Sequence, residues 1–130
     1  MKQKRIIVAD DDDDVRLVLR VILERVGYDV MEATDGTEVL SMIGAEKPDL
    51  ILLDYAMPKL DGKRTLERLK ADPKTAGIPV VVISATRDTS LAEQLKAIGA
   101  PVYLVKPWSE GEIEKVVAEA LKAAEESTGT

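Results

Sequence analysis

Five consecutive aspartates, Asp10 to Asp14, follow directly on the apolar run Ile6-Ile7-Val8-Ala9, and a further one, Asp54, closes the run Leu50-Ile51-Leu52-Leu53. Carboxylates at the ends of two buried runs are electrostatically expensive, because once brought together they repel and raise one another's pKa values by about a unit or more. A hard dication removes that repulsion. Mg2+ suits a site with a few carboxylates that keeps waters and completes its shell with phosphate oxygens. The same ion would screen Asp54, so that an anionic phosphoryl group can approach and its carboxylate can attack as a nucleophile, giving an acyl phosphate. Such a transfer asks mainly for positioning and charge neutralisation. A hydroxyl, Ser84, and an ammonium, Lys106, stand at the ends of two further apolar runs and are suited to both tasks. The chain has no histidine, so no His base, His metal ligand or His phosphoryl carrier is available within it.

Whether these groups meet depends on the elements that carry them. Apolar runs at residues 5–9, 28–32, 50–53, 80–83 and 102–105 alternate with stretches of helical periodicity. Val15, Val18, Leu19, Ile22 and Val26 share one helical face, as do Leu91, Leu95 and Ile98, and then Ile113, Val116, Val117, Ala120 and Leu121. The pairs Asp35/Glu38, Ser90/Glu93 and Ser109/Glu112 read as N-caps with an acidic third helical residue, and one of Asp12 to Asp14 is expected to cap the first helix. Asp61-Gly62 reads as a turn and helix start. Gly27 and Gly99 sit where helices should stop, and Pro73 lies just past the third. Runs one, three, four and five hold almost nothing polar, as expected of strands covered on both faces. Five such alternations imply an α/β fold, a doubly wound five-stranded parallel sheet of flavodoxin-like (βα)5 type with strand order 2-1-3-4-5. In that arrangement Asp10, Asp11, Asp54, Ser84 and Lys106 share one sheet edge, while strand 2, ending at Glu32, contributes least. Residues 1–125 should form one domain, with 126–130 a flexible tail or linker stub.

The segments Val8-Ala9-Asp10-Asp11-Asp12, Leu53-Asp54-Tyr55-Ala56-Met57-Pro58-Lys59-Leu60-Asp61-Gly62, Ile83-Ser84-Ala85 and Val105-Lys106-Pro107-Trp108 resemble the receiver domain of two-component response regulators, over nearly the whole chain. The resemblance implies a chemotaxis-type, single-domain signalling switch rather than a turnover enzyme, its only chemistry being Mg2+-dependent self-phosphorylation from a phosphodonor and autodephosphorylation. By the same resemblance Asp54 takes a phosphoryl group from a histidine kinase or phosphotransfer protein. Asp10, Asp11 and Asp54, with the backbone carbonyl of Ala56, hold Mg2+. Ser84 and Lys106 contact the phosphoryl oxygens, and the Lys106-Pro107 bond is cis. Ser84 and Tyr103 move on activation, reshaping the surface of helix 4, strand 5 and helix 5 that meets a downstream protein. A monomer or a phosphorylation-dependent dimer is implied. Asp13 stands where the family often has proline, Pro101-Val102 replaces a commonly polar pair, Trp108 replaces a common phenylalanine, and the lifetime-tuning positions Ala56 and Thr86 are small.

Composition bounds the partners. The 130 residues carry 18 basic and 24 acidic groups, a net charge of −6, which argues against nucleic acid or an anionic membrane as a direct partner. The absence of cysteine fits a cytoplasmic protein, and the apolar run after the basic N-terminus is too short for a signal peptide or membrane span. An EF-hand starting at Asp10 fails because Val15 and Val21 occupy its glycine and glutamate positions. A dehalogenase-type phosphatase would want a carboxylate at position 56, where Ala56 stands. A flavodoxin would want a hydroxyl- and glycine-rich phosphate loop where this chain has aspartates. The remaining alternative is a receiver-like interaction module that works without phosphorylation.

Overall fold

A computed structural model describes residues 3–85, 89–100 and 102–128. Five strands and five helices alternate in it: β1 (Arg5–Ala9), α1 (Asp13–Arg25), β2 (Asp29–Ala33), α2 (Gly36–Ala45), β3 (Leu50–Asp54), α3 (Gly62–Ala71), β4 (Val80–Ser84), α4 (Thr89–Ile98), β5 (Val102–Val105) and α5 (Glu110–Thr128). The strands form one parallel sheet in the order β2-β1-β3-β4-β5, the doubly wound arrangement that the alternation implies. No helix among the described residues is long and apolar enough to cross a membrane.

Two cores explain why the central runs are apolar throughout. Side chains alternate across a strand, so Ile6 and Val8 of β1, with Leu50, Leu52, Val81 and Ile83, meet Leu19, Ile22 and Leu23 of α1 and Ile113 and Val117 of α5. The intervening Ile7 and Ala9, with Ile51, Leu53, Val80 and Val82, meet Val39, Leu66, Leu69, Leu91 and Leu95 of the other three helices. Both faces are dry, so a polar residue in β1, β3 or β4 is tolerated only at the strand's end.

Local chemistry sets the helix boundaries. Asp12 caps α1 by accepting from the N–H groups of Asp14 and Val15. Asp35 and Asp61 do the same for α2 and α3. Ser109 and Glu112 form a reciprocal capping box at α5, each side chain accepting from the other's backbone N–H. Gly27 and Gly99 follow α1 and α4 with φ of 102° and 131°, where a Cβ is strained. Where α2 crosses α3, a Cβ on Gly36 would lie 1.9 Å from Thr65 Oγ1 and 2.7 Å from the Leu60 carbonyl, so only glycine lets the two helices approach.

Several expectations need correction. Run two sits one residue later than read, as Asp29–Ala33, with Tyr28 outside the strand. Helix α4 already includes Ser90, which therefore lies in the first turn rather than at the cap. Helix α5 extends through residues 126–128, because Ala123-Ala124-Glu125-Glu126 are strong helix formers. Thr86, Pro101 and the last two residues, Gly129 and Thr130, lie outside the described residues, and with them two of the noted departures. The largest correction concerns α1. Its buried stripe is Arg16, Leu19, Ile22 and Leu23, whereas Val18 and Val26, assigned to the core face, are 47% and 51% exposed. Two apolar stripes compete on this helix, and the one containing Leu17, Val18 and Val21 faces outward because Arg16 can enter the inner one with its charge neutralised. Leu19→Ala is accordingly expected to lower unfolding stability by about 2–4 kcal/mol and Val18→Ser to change it by less than about 0.5 kcal/mol, as read by urea denaturation. Equal losses at the two positions would restore the original face.

Candidate metal and phosphoryl site

Asp10 is the first residue past β1, and its N–H still donates to Ala33 of β2 at 3.1 Å. Its side chain turns back on the chain, Oδ1 accepting from the Asp12 N–H at 2.9 Å. One acidic run thus serves two purposes: Asp10 holds the loop, and Asp12 starts the helix. Asp54 ends β3 within the sheet. The next residue, Tyr55, donates its N–H to Ile83 at 2.8 Å and accepts from Gly62 at 2.8 Å. A Cβ at Gly62 would sit 2.7 Å from both the Asp54 carbonyl and Tyr55 Cα, so glycine is required for α3 to start this close to Asp54. Lys106 leaves β5 with its N–H donating to the Ser84 carbonyl at 2.8 Å, and the Lys106-Pro107 bond is cis.

These loops converge on one sheet edge. Carboxylate oxygens of Asp10, Asp11 and Asp54 lie within 4.8 Å of one another. Lys106 Nζ stands 3.6 Å from Asp10 Oδ2 and 3.3 Å from Asp54 Oδ1. Asp10 and Asp54 are buried, while Asp11 faces solvent. Ser84 is also buried on this edge, at the end of β4 and opposite Val105. Ala56 lies exposed two residues beyond Asp54. Tyr103 stands in β5 opposite Val82, half-buried against the core on the α2–α4 side.

Burial, then the neighbouring Asp10 charge, pushes Asp54 up to about 6 although Lys106 pulls the other way. Burial raises Asp10 too. Lys106 is held above the usual lysine range: burial opposes its charge, but Asp54 and Asp10 together outweigh it. Three carboxylates against one ammonium leave two negative charges, the amount one dication balances. The donors are all hard oxygens, two of them buried, which suits Mg2+ rather than a softer metal.

Sequence reasoning missed Arg16. It is a charged residue buried under the acidic loop, donating to the Asp10 carbonyl at 2.7 Å and to Glu32 at 3.1 Å. Its signal was the lone arginine between Val15 and Leu19, in a stripe that is otherwise apolar. Lys59, at a positive φ of 65° in the loop after β3, was also missed. It reaches the Asp35 cap at 3.8 Å.

Because Asp54 binds its proton more tightly folded than unfolded, its contribution favours folding below about pH 4 and is lost as pH rises through about 6. Metal-free Asp54→Asn should therefore be more stable than the parent at pH 7.5, on the order of 2 kcal/mol. The difference should shrink as pH falls from 6 to 4. Urea titrations in chelator across that range test it, and a variant less stable than the parent at pH 7.5 would contradict the assigned cost of burying the Asp54 charge beside Asp10.

The family model of the response regulator receiver domain matches residues 6–118. The chain is 37% identical over 123 residues to the alkaline phosphatase synthesis transcriptional regulatory protein PhoP of Bacillus subtilis, covering 94% of this chain and 50% of that one. It is 37% identical over 114 residues to the DNA-binding dual master transcriptional regulator RpaA of Synechocystis, covering 88% of this chain and 46% of that one. It thus spans about half the length of the curated relatives it matches. Among solved structures, a CheY-like response regulator receiver domain protein from Methanospirillum hungatei superposes with a TM-score of 0.90 at 26% identity, covering 97% of this chain and 99% of that one. The receiver domain of NtrX from Brucella abortus does so with 0.84 at 29% identity, covering 90% and 98%. The acidic pocket at the carboxyl edge of a 2-1-3-4-5 sheet and the match across most of its length agree: this chain belongs to the response regulator receiver domain family.

Proposed function

We propose that this receiver is a phosphorylation-controlled switch in which Asp54 accepts a phosphoryl group from a histidine kinase or phosphotransfer protein. The observation that carries this reading is one ammonium, Lys106, set 3.3 Å from Asp54 and 3.6 Å from Asp10 at the sheet edge. An oxygen of Asp54 attacks phosphorus and forms the new O–P bond. The donor leaves with the electron pair of its own bond to phosphorus, so no external oxidant or reductant is needed. Mg2+, held by Asp10, Asp11, Asp54 and the Ala56 carbonyl, would neutralise charge on the phosphoryl oxygens. Lys106 then exchanges its contact with the Asp54 carboxylate for one with a phosphoryl oxygen, and the Ser84 hydroxyl donates to another.

The transferred group brings negative charge to an edge where β4 and β5 end together, with Lys106 tied to Ser84 through the backbone. Drawing Ser84 toward the phosphoryl group shifts the end of β4. Tyr103, half-buried on β5, then changes its packing, and the surface of α4, β5 and α5 presents a different face to a protein partner. A complete inversion of a two-state population from 1:99 to 99:1 takes about 5.5 kcal/mol. PhoP and RpaA are named as transcriptional regulators and this chain matches about half of each. The switched face would therefore act either on a separate protein or on a further domain of a longer chain.

Incubation with Mg2+ and acetyl phosphate should add one phosphoryl group by intact mass, and Asp54→Asn should take up none. Lys106→Met should slow uptake by roughly 10²-fold. Uptake on Asp54→Asn, or no uptake by the parent, would reject the assignment.

A further inference from the structure

Arg16 has no part in the chemistry above, yet it is one of few buried charged side chains among the described residues. Arginine is rarely buried unless paired. Here Nη1 donates to the Asp10 carbonyl at 2.7 Å, Nε donates to Glu32 Oε1 at 3.1 Å, and Nη2 donates to the Asp13 carboxylate. The second oxygen of Glu32 accepts from Arg20 Nε at 2.6 Å, and Arg20 reaches Glu24 at 3.2 Å. Strand β2 thereby grips α1 through a carboxylate shared between two guanidinium groups.

The carbonyl that Arg16 holds belongs to the peptide joining Asp10 to Asp11. That unit is planar, so fixing its C=O restricts the direction in which both residues project. Asp10's carboxylate is separately held by the Asp12 N–H. Together the two bonds fix the Asp10 carboxylate and the backbone from which the Asp11 side chain departs. Charge alone gives no reason for a cation here, since a positive group beside a dication site weakens binding. Asp13 and Glu32, the latter shared with Arg20, offset that charge, leaving a rigid planar fork as what Arg16 contributes.

We propose that Arg16 is a positioning residue for the divalent cation, orienting the Asp10–Asp11 peptide, with Glu32 locking its guanidinium. The inference rests on the metal reading above. Geometry of this kind affects ions unequally. Mg2+ demands near-ideal octahedral coordination at short distances, whereas Ca2+ accepts variable number and angle. Loosening the loop should therefore damage Mg2+ binding far more than Ca2+ binding.

Isothermal titration of the full chain with Mg2+ and with Ca2+ tests this. Arg16→Gln should weaken Mg2+ by about 10–100-fold, the usual effect of losing an outer-sphere orienting group, and Ca2+ by less than about threefold. Arg16→Lys keeps the charge and much of the stem but lacks the fork, so it should lose Mg2+ selectively as well. It carries the test if Arg16→Gln does not fold, as judged by a cooperative urea transition. Glu32→Gln should shift the Mg2+/Ca2+ ratio in the same direction by a smaller factor. Unchanged or tighter Mg2+ binding in the arginine variants overturns the proposal in favour of a charge effect. Parallel loss of both ions overturns it in favour of a merely structural role. A parent that binds no Mg2+ removes the metal reading itself, an outcome visible before any variant is made.

Discussion

Mutual repulsion among Asp10, Asp11 and Asp54 is the constraint to which the surrounding structure answers. Three carboxylates whose oxygens lie within 4.8 Å would separate if free to do so. They are kept together because each lies at or just past the end of a strand fixed by its neighbours, and because Lys106 closes the cluster from β5. Burial penalises the charge on Asp54 and the neighbouring Asp10 carboxylate adds to it, and the elevated Asp54 pKa records both. Stability is thus given up locally to hold a charge distribution that a dication could balance.

Small residues and backbone bonds hold that distribution in place. Gly62 lets α3 begin against the Asp54 carbonyl, and Gly36 lets α2 cross Thr65 and Leu60. The Lys106 N–H fixes the loop after β5 to the end of β4, and the Tyr55 N–H fixes the loop after β3 to the same strand. The site is therefore built across β1, β3, β4 and β5, and no single segment contains it. This is why a charge at the end of one strand says little until the parallel pairing is known.

The parts legible in the sequence were those set by local or short-period rules. The apolar runs of β1, β3 and β4 were readable because both faces of those strands are buried, whereas β5, an edge strand in which only Leu104 is buried, was readable from its apolar residues alone. Caps at Asp35 and Ser109, one among Asp12 to Asp14, and a helix start at Asp61-Gly62 were readable because a short acceptor side chain before a helical stretch has few other uses. Strand β2 was misplaced by one residue because it is an edge strand, with an exposed Asp29 and a half-buried Glu32 that blur the apolar pattern. The orientation of α1 was missed for a different reason. Hydrophobic periodicity ranks faces by apolarity, and cannot foresee that Glu32 on β2 will join Asp13 in neutralising Arg16 and let it occupy the inner face. The site residues themselves could be placed on one edge from topology. The bracing from Arg16 could not, because it depends on a tertiary partner.

The separations around Lys106 also determine how the site responds to its solution. Ion pairs at 3.3 and 3.6 Å, against carboxylates that are almost fully buried, lie well inside a Debye length of about 8 Å at physiological ionic strength. Monovalent salt can screen the −6 net charge of the whole chain but has little access to the space between these groups. A counter-ion atmosphere is therefore a poor substitute for an ion seated among the oxygens. The electrostatic state of the pocket is set by what occupies it, while the outer surface follows the ionic strength of its surroundings.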